Sequence, residues 1–143
     1  MTKLCERFQP SPTTRCASLG LLALRLVAGV AFVHHGWGKI QDPFHWMGPD
    51  AAIPGFFQAL AAVSEFGGGL AWVVGLLVPL ASFGVACTMG VAVWTHLIVR
   101  GDPFVGKGAS YELALLYFCV ALLLLLGGPG KLSVDRLVFG ERK

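Results

Sequence analysis

Arg25 constrains this chain more than any other residue, because it is the one charge inside the apolar run that follows Ser18 and closes on His34, His35, Gly36, Trp37, Gly38 and Lys39. A lone arginine near the middle of a membrane helix is unfavourable by about 2.5–3.5 kcal/mol on insertion scales, so its guanidinium is expected to face protein rather than lipid. Glu65 is the acidic residue at matching depth, and the sequence reading is built on an intramembrane Arg25–Glu65 ion pair.

That the run is a membrane span follows from the rest of the chain. Of its 143 residues 55% are hydrophobic and 13% charged, against about half and a quarter in an ordinary soluble domain. Four apolar stretches, 18–36, 57–80, 81–99 and 111–126, approach the roughly 20 residues that cross a bilayer core. The expected fold is an all-α membrane protein, a bundle of four transmembrane helices over residues 18–127. It is flanked by a polar N-terminal segment, 1–17, and an interfacial tail, 128–143. The lipid bilayer is its first partner. A net charge of +3 with the basic residues mostly at the two ends reads as topology, not as a nucleic-acid footprint, and excludes a polynucleotide partner.

Seven Lys and Arg fall on the side of the termini against three, Lys39, Arg100 and Lys107, on the other. The positive-inside rule then puts both termini in the cytoplasm and makes this a multi-pass protein of the bacterial inner membrane. The N-terminal segment reads as the basic flank of an uncleaved signal-anchor. In the tail, Ser133 is a candidate N-cap for a short amphipathic piece with Leu132, Leu137 and Val138 as its apolar contacts and Lys131, Arg136, Arg142 and Lys143 around them, suited to an anionic leaflet.

Within the first span Arg25, Gly29, Phe32 and Gly36 share a helical face, and His35 lies close to it while His34 is nearly opposite. In the second, Ala61, Glu65, Gly68, Gly69 and Trp72 share a side. Gly29, Gly36, Gly68 and Gly69 are therefore expected to let the helices pack closely. Counted at ~1.5 Å per residue, Glu65 stands ~12 Å and Arg25 ~16 Å below the outer ends of their spans, which permits the pair. Residues 37–56 read as an outer loop broken by Pro43, Pro49, Pro54 and glycines, and a turn is expected around Pro79.

The third span brings His96 to the level of His35, and the fourth opens with Tyr111 and Glu112 and stops at Gly127-Gly128-Pro129-Gly130. Asp42-Pro43-Phe44 after the first span recurs as Asp102-Pro103-Phe104 after the third, each before a span bearing a glutamate, a weak sign of a two-plus-two repeat of a kind known among transporters. Cys5, Cys16, Cys87 and Cys119 form no metal-type pair, and no metal site is expected; Cys87 and Cys119 read as small hydrophobes.

Arg25-x3-Gly29 leading to His35-Gly36-x2-Lys39, then Glu65-x2-Gly68-Gly69, then Gly128-Pro129-Gly130-Lys131-x-Ser133-x-Asp135, resembles the DoxX family of small bacterial membrane proteins over about 19–137. This chain departs from that pattern in doubling the histidine, His34 beside His35. The resemblance implies a four-helix inner-membrane bundle and a link to redox metabolism, since members are associated with thiosulfate:quinone oxidoreductase, terminal-oxidase subunits and detoxification complexes.

Folded as a bundle, Arg25, His35, Lys39, Glu65, His96, Tyr111 and Glu112 form the candidate polar pocket. Such a set could hydrogen-bond a quinone carbonyl and relay protons, with Trp37, Trp72 and Trp94 flanking a flat ring. Quinone is the cofactor expected, while catalysis is left open; bis-histidine haem, through His35 and His96, has no c-type attachment motif behind it. Three functions follow: a quinone-interacting or accessory subunit of a membrane redox or detoxification system, a non-catalytic scaffold docking a partner enzyme, or a small-solute or lipid transporter. Glycine faces also suit a homo-oligomer. Beside these stand blander roles: Arg25–Glu65 as a device that sets helix register, His34 and Lys39 as interfacial anchors, and His96 as a packing residue.

Overall fold

Thr14 starts the first helix by taking the Ala17 N–H on its Oγ1 at 3.1 Å, and α1 then runs unbroken over Arg15–Gln41. The computed structural model describes residues 13–140; the N-terminal residues before these, Cys5 among them, and the tail cations Arg142 and Lys143 lie outside the described residues. α1 does not stop at Gly36, where the sequence places its end. Each helical glycine costs only about 1 kcal/mol relative to alanine, and Gly36 is buried against Phe66, where a Cβ would stand 2.5 Å from the Phe66 backbone N. The helix ends instead at Asp42, φ −135°, whose own conformation is restricted by Pro43.

A looped segment, 42–54, is tied down by one side chain. Gln58 Oε1 accepts the Met47 N–H at 3.1 Å, its Nε2 donates to Ile53 O at 2.8 Å, and its carbonyl accepts Trp46 Nε1–H at 3.0 Å. α2 spans Gly55–Val74 and terminates in Gly75, whose φ of 78° and N–H bond to Ala71 O close the helix. The chain turns at once through Leu77 into α3, Val78–Trp94. The turn is thus centred ahead of Pro79, which lies in the first turn of α3, where its missing N–H leaves no bond unmade. A π-turn, Thr95–Val99, extends α3. α4 covers Glu112–Gly127, and Ser133 caps α5, Val134–Phe139, by accepting the Arg136 N–H.

All the described structure is helical, with no strand among the described residues. α1 packs on α2, α2 on α3 and α3 on α4. The α1–α2 contact is the closest, because Gly29 and Gly69 face each other: a Cβ on Gly69 would lie 2.7 Å from both Gly29 O and Val33 N. The core is Phe32, Trp72, Val78, Val85, Met89, Ala121 and Leu124, with Trp72 Nε1 donating to Ser82 Oγ at 2.9 Å. Outward faces are as apolar as inward ones, with Val27, Leu80, Val91 and Leu126 all exposed, the pattern of helices whose solvent is lipid. Arg15–Gln41, Gly55–Val74 and Val78–Val99 are long and apolar enough to cross a membrane, and Glu112–Gly127 is a shorter apolar helix. Cys16, Cys87 and Cys119 are free thiols on exposed positions.

Candidate functional site

At the end of the bundle away from the termini, the helices leave a cleft of about 240 Å³. α1 contributes Phe32, His35 and Lys39, α3 contributes Met89, Ala92 and His96, and α4 contributes Leu113, Ala114 and Tyr117, each set at helical spacing, while α2 adds Glu65 and the preceding loop Ser110. The floor is aromatic, Phe32 meeting Tyr117 edge-on at 4.8 Å between ring centroids.

Two charge-bearing pairs stand in this cleft. Lys39 Nζ lies 2.6 and 2.7 Å from the two oxygens of Glu65, whose side chain is only 4% exposed. The same ammonium sits 4.5 Å over the Trp46 ring, a cation–π contact that holds the lysine at the loop. In the second pair His96 Nδ1 is 2.7 Å from Asp102 Oδ2. The Asp102 N–H also donates to the His96 carbonyl at 2.8 Å. With Asp102 as acceptor, His96 carries a proton on Nδ1 and Nε2 is left for another partner, the arrangement that makes an imidazole a directional proton acceptor or donor.

The expected Arg25–Glu65 ion pair is not formed. Arg25 is fully buried at the other end of the bundle, donating from Nη2 to Leu132 O at 2.6 Å, with Nε and Nη1 unpartnered. The reason is the length of α1. Because the helix continues to Gln41, Arg25 lies roughly 24 Å from its outer end, whereas Glu65 lies roughly 15 Å from the start of α2. Lys39, three turns nearer that outer end, takes the carboxylate instead.

Tyr111 and Glu112 also stay outside the cleft. Tyr111 packs on Phe104 with centroids 5.3 Å apart, and Glu112 is exposed in the first turn of α4. Of the tryptophans, Trp72 is buried against Phe32 and Trp37 and Trp94 point outward, so Phe32 and Tyr117 are the ring neighbours. His34 is exposed. Tyr117 and Asp102 are the cleft residues that sequence reasoning missed as such. Asp102 was visible as part of the Asp-Pro-Phe pattern, but Tyr117 is embedded in an apolar run and had no local signal. Among the described residues no group of three or more His, Cys, Asp or Glu is placed to hold a metal ion.

The Arg25 end forms a second polar centre. Asp135 accepts the Leu77 N–H at 2.6 Å and the Val78 N–H at 2.9 Å, so the tail supplies the cap that α3 lacks in its own sequence. Burial pushes the Asp135 carboxyl above the ordinary carboxylate range, against the pull of those two N–H groups and of the Arg25 charge. The Asp135 N–H in turn donates to Gly75 O at 2.8 Å.

Comparison with known proteins agrees with this architecture. The family model described as DoxX matches residues 20–97. An inner membrane protein of Escherichia coli K12, YqjF, is 32% identical over 127 residues, which is 84% of this chain and 92% of that protein. An uncharacterized protein of Haemophilus influenzae is 29% identical over 121 residues, 83% of this chain and 90% of that one. No solved structure matches.

Proposed function

Starting from the fact that this chain belongs to the DoxX family of integral membrane proteins, we propose that it is a quinone-interacting accessory subunit of a membrane redox or detoxification system. In this reading it lies in the bacterial inner membrane as four spans with both termini cytoplasmic. The observation that carries the reading is the cleft itself. It joins a flat aromatic wall, Phe32 and Tyr117, to an imidazole with a carboxylate behind it and to a compensated buried carboxylate.

A quinone, when bound, supplies two-electron and two-proton carrier chemistry. The residues of this chain bind and orient. His96 Nε2 and the Tyr117 hydroxyl offer hydrogen bonds to a carbonyl oxygen, and His35 offers another imidazole on the α1 side. Asp102 holds the His96 ring in one tautomer and orientation. Lys39 neutralises Glu65, so the cleft keeps a polar wall without a net buried charge. At about 240 Å³ the space suits one substituted ring and not a polypeptide segment.

Equilibrium binding of a short-chain ubiquinone analogue to the purified protein in lipid nanodiscs tests this. His96→Ala and Tyr117→Phe should each weaken binding about tenfold, the value of a hydrogen bond of about 1.4 kcal/mol. Unchanged affinity in both, or no binding by the wild type, refutes the reading and leaves a docking scaffold for a partner enzyme.

A further inference from the structure

The other end of the bundle holds a concavity that the cleft chemistry does not use. About 380 Å³ in volume, it is walled by Arg15, Ser18, Leu19, Lys131, Leu132 and Arg136. Three cations drawn from the start of α1, the segment after α4 and α5 therefore share one space, and no carboxylate lines it. The acidic neighbour, Asp135, is fully buried with both oxygens engaged by backbone N–H groups. The walls are fixed on one another: the Lys131 N–H donates to Ser18 Oγ at 3.2 Å, and Arg136 Nη1 donates to Lys131 O at 3.5 Å. The concavity is thus a property of the fold and not of chance side-chain placement.

Its surroundings indicate what it would hold. Leu19, 59% exposed, and Leu132, 47% exposed, flank the cations. From Leu19 onward the outward face of α1, with Val27 and Val30 exposed, is apolar. The three positive charges therefore stand where a membrane-spanning surface begins, the level at which lipid phosphates lie.

We propose that this cleft binds the phosphate of an anionic phospholipid, whose acyl chains run along Leu19 and the outer face of α1. Guanidinium groups bind phosphate oxygens by charge-assisted, bidentate hydrogen bonds. A zwitterionic headgroup brings its own cation into the same space and is disfavoured by repulsion. A free phosphate ion shares the headgroup chemistry but has no use for the leucines.

Native mass spectrometry of the full-length protein, titrated with phosphatidylglycerol or with phosphatidylcholine of the same acyl chains, reads the preference. The wild type should retain phosphatidylglycerol at least about tenfold better. With each basic residue near the surface contributing about fivefold, Arg15→Gln, a change at an exposed position, should lower that preference about fivefold. Adding Lys131→Gln and Arg136→Gln should lower it about a hundredfold. Arg100→Gln with Lys107→Gln, at the opposite end, should leave it unchanged, and Lys131→Arg should preserve it. Equal retention of the two lipids by the wild type overturns the proposal, as does an Arg15→Gln variant of unaltered melting temperature and unaltered preference. Displacement of phosphatidylglycerol by millimolar inorganic phosphate also overturns it, in favour of a free anion.

Discussion

Replacing Lys39 by Met tests the pairing at the heart of the cleft, because the methionine keeps the length of the side chain and removes only its charge. Both hydrogen bonds that Glu65 receives come from Lys39 Nζ, at 2.6 and 2.7 Å. At 2.6 Å and an effective dielectric of about 20, two unit charges attract by roughly 6 kcal/mol. Desolvation of the two groups cancels much of that, and breaking a fully buried pair from one side costs about 3–5 kcal/mol. Lys39 is 25% exposed while Glu65 is 4% exposed, so solvent screening places the expected loss at the lower edge, about 3 kcal/mol. In thermal unfolding followed by near-ultraviolet circular dichroism, that lowers Tm by roughly 10 °C.

A double-mutant cycle isolates the interaction. Glu65→Gln alone should also destabilise, and Lys39→Met with Glu65→Gln should recover at least about 1 kcal/mol relative to the sum of the two. Additivity within about 0.5 kcal/mol would refute the pairing. Arg25→Met combined with Glu65→Gln serves as the internal control and should be additive, because Arg25 bonds to Leu132 at the other end of the bundle.

Three further outcomes are expected. Gly69→Ala places a Cβ 2.7 Å from the Gly29 carbonyl and Val33 backbone N and should cost about 1–3 kcal/mol by overpacking, whereas Gly20→Ala, with nothing within 4 Å, should leave the melting temperature level or raise it. Because burial raises the Asp135 carboxyl above its unfolded value, its contribution to stability is fully present below about pH 4 and is lost as pH rises through the folded value; melting curves across that window should fall with pH in the wild type and flatten in Asp135→Asn, and parallel slopes would contradict the assignment. Asp102→Asn should weaken binding of the quinone analogue by a smaller factor than His96→Ala, since it loosens the imidazole without removing it; an equal or larger factor would show that Asp102 touches the ligand itself.

Hydropathy and the scarcity of charge are local properties, and they were enough to establish that this is a helical membrane protein. The motifs around Gly29, His35, Glu65 and Gly128 were enough for its family. Ser133 was legible as a cap because the residue types that start a helix act within one turn of it. Which charges meet was not legible, since it depends on where each helix ends and on how neighbouring helices are registered.

Gly36 reads as a stop signal in one dimension. In three it is the point where α1 passes closest to Phe66, and the helix goes on to deliver Lys39 to Glu65. Arg25 reads as the mate of that glutamate, yet it is enclosed by Leu132 and the tail that folds back to cap α3 through Asp135. Residues separated by 107 positions, as Arg25 and Leu132 are, leave no shared local pattern. Their meeting is decided by the packing of the bundle as a whole, where each buried donor is drawn to whichever acceptor the backbone brings within reach.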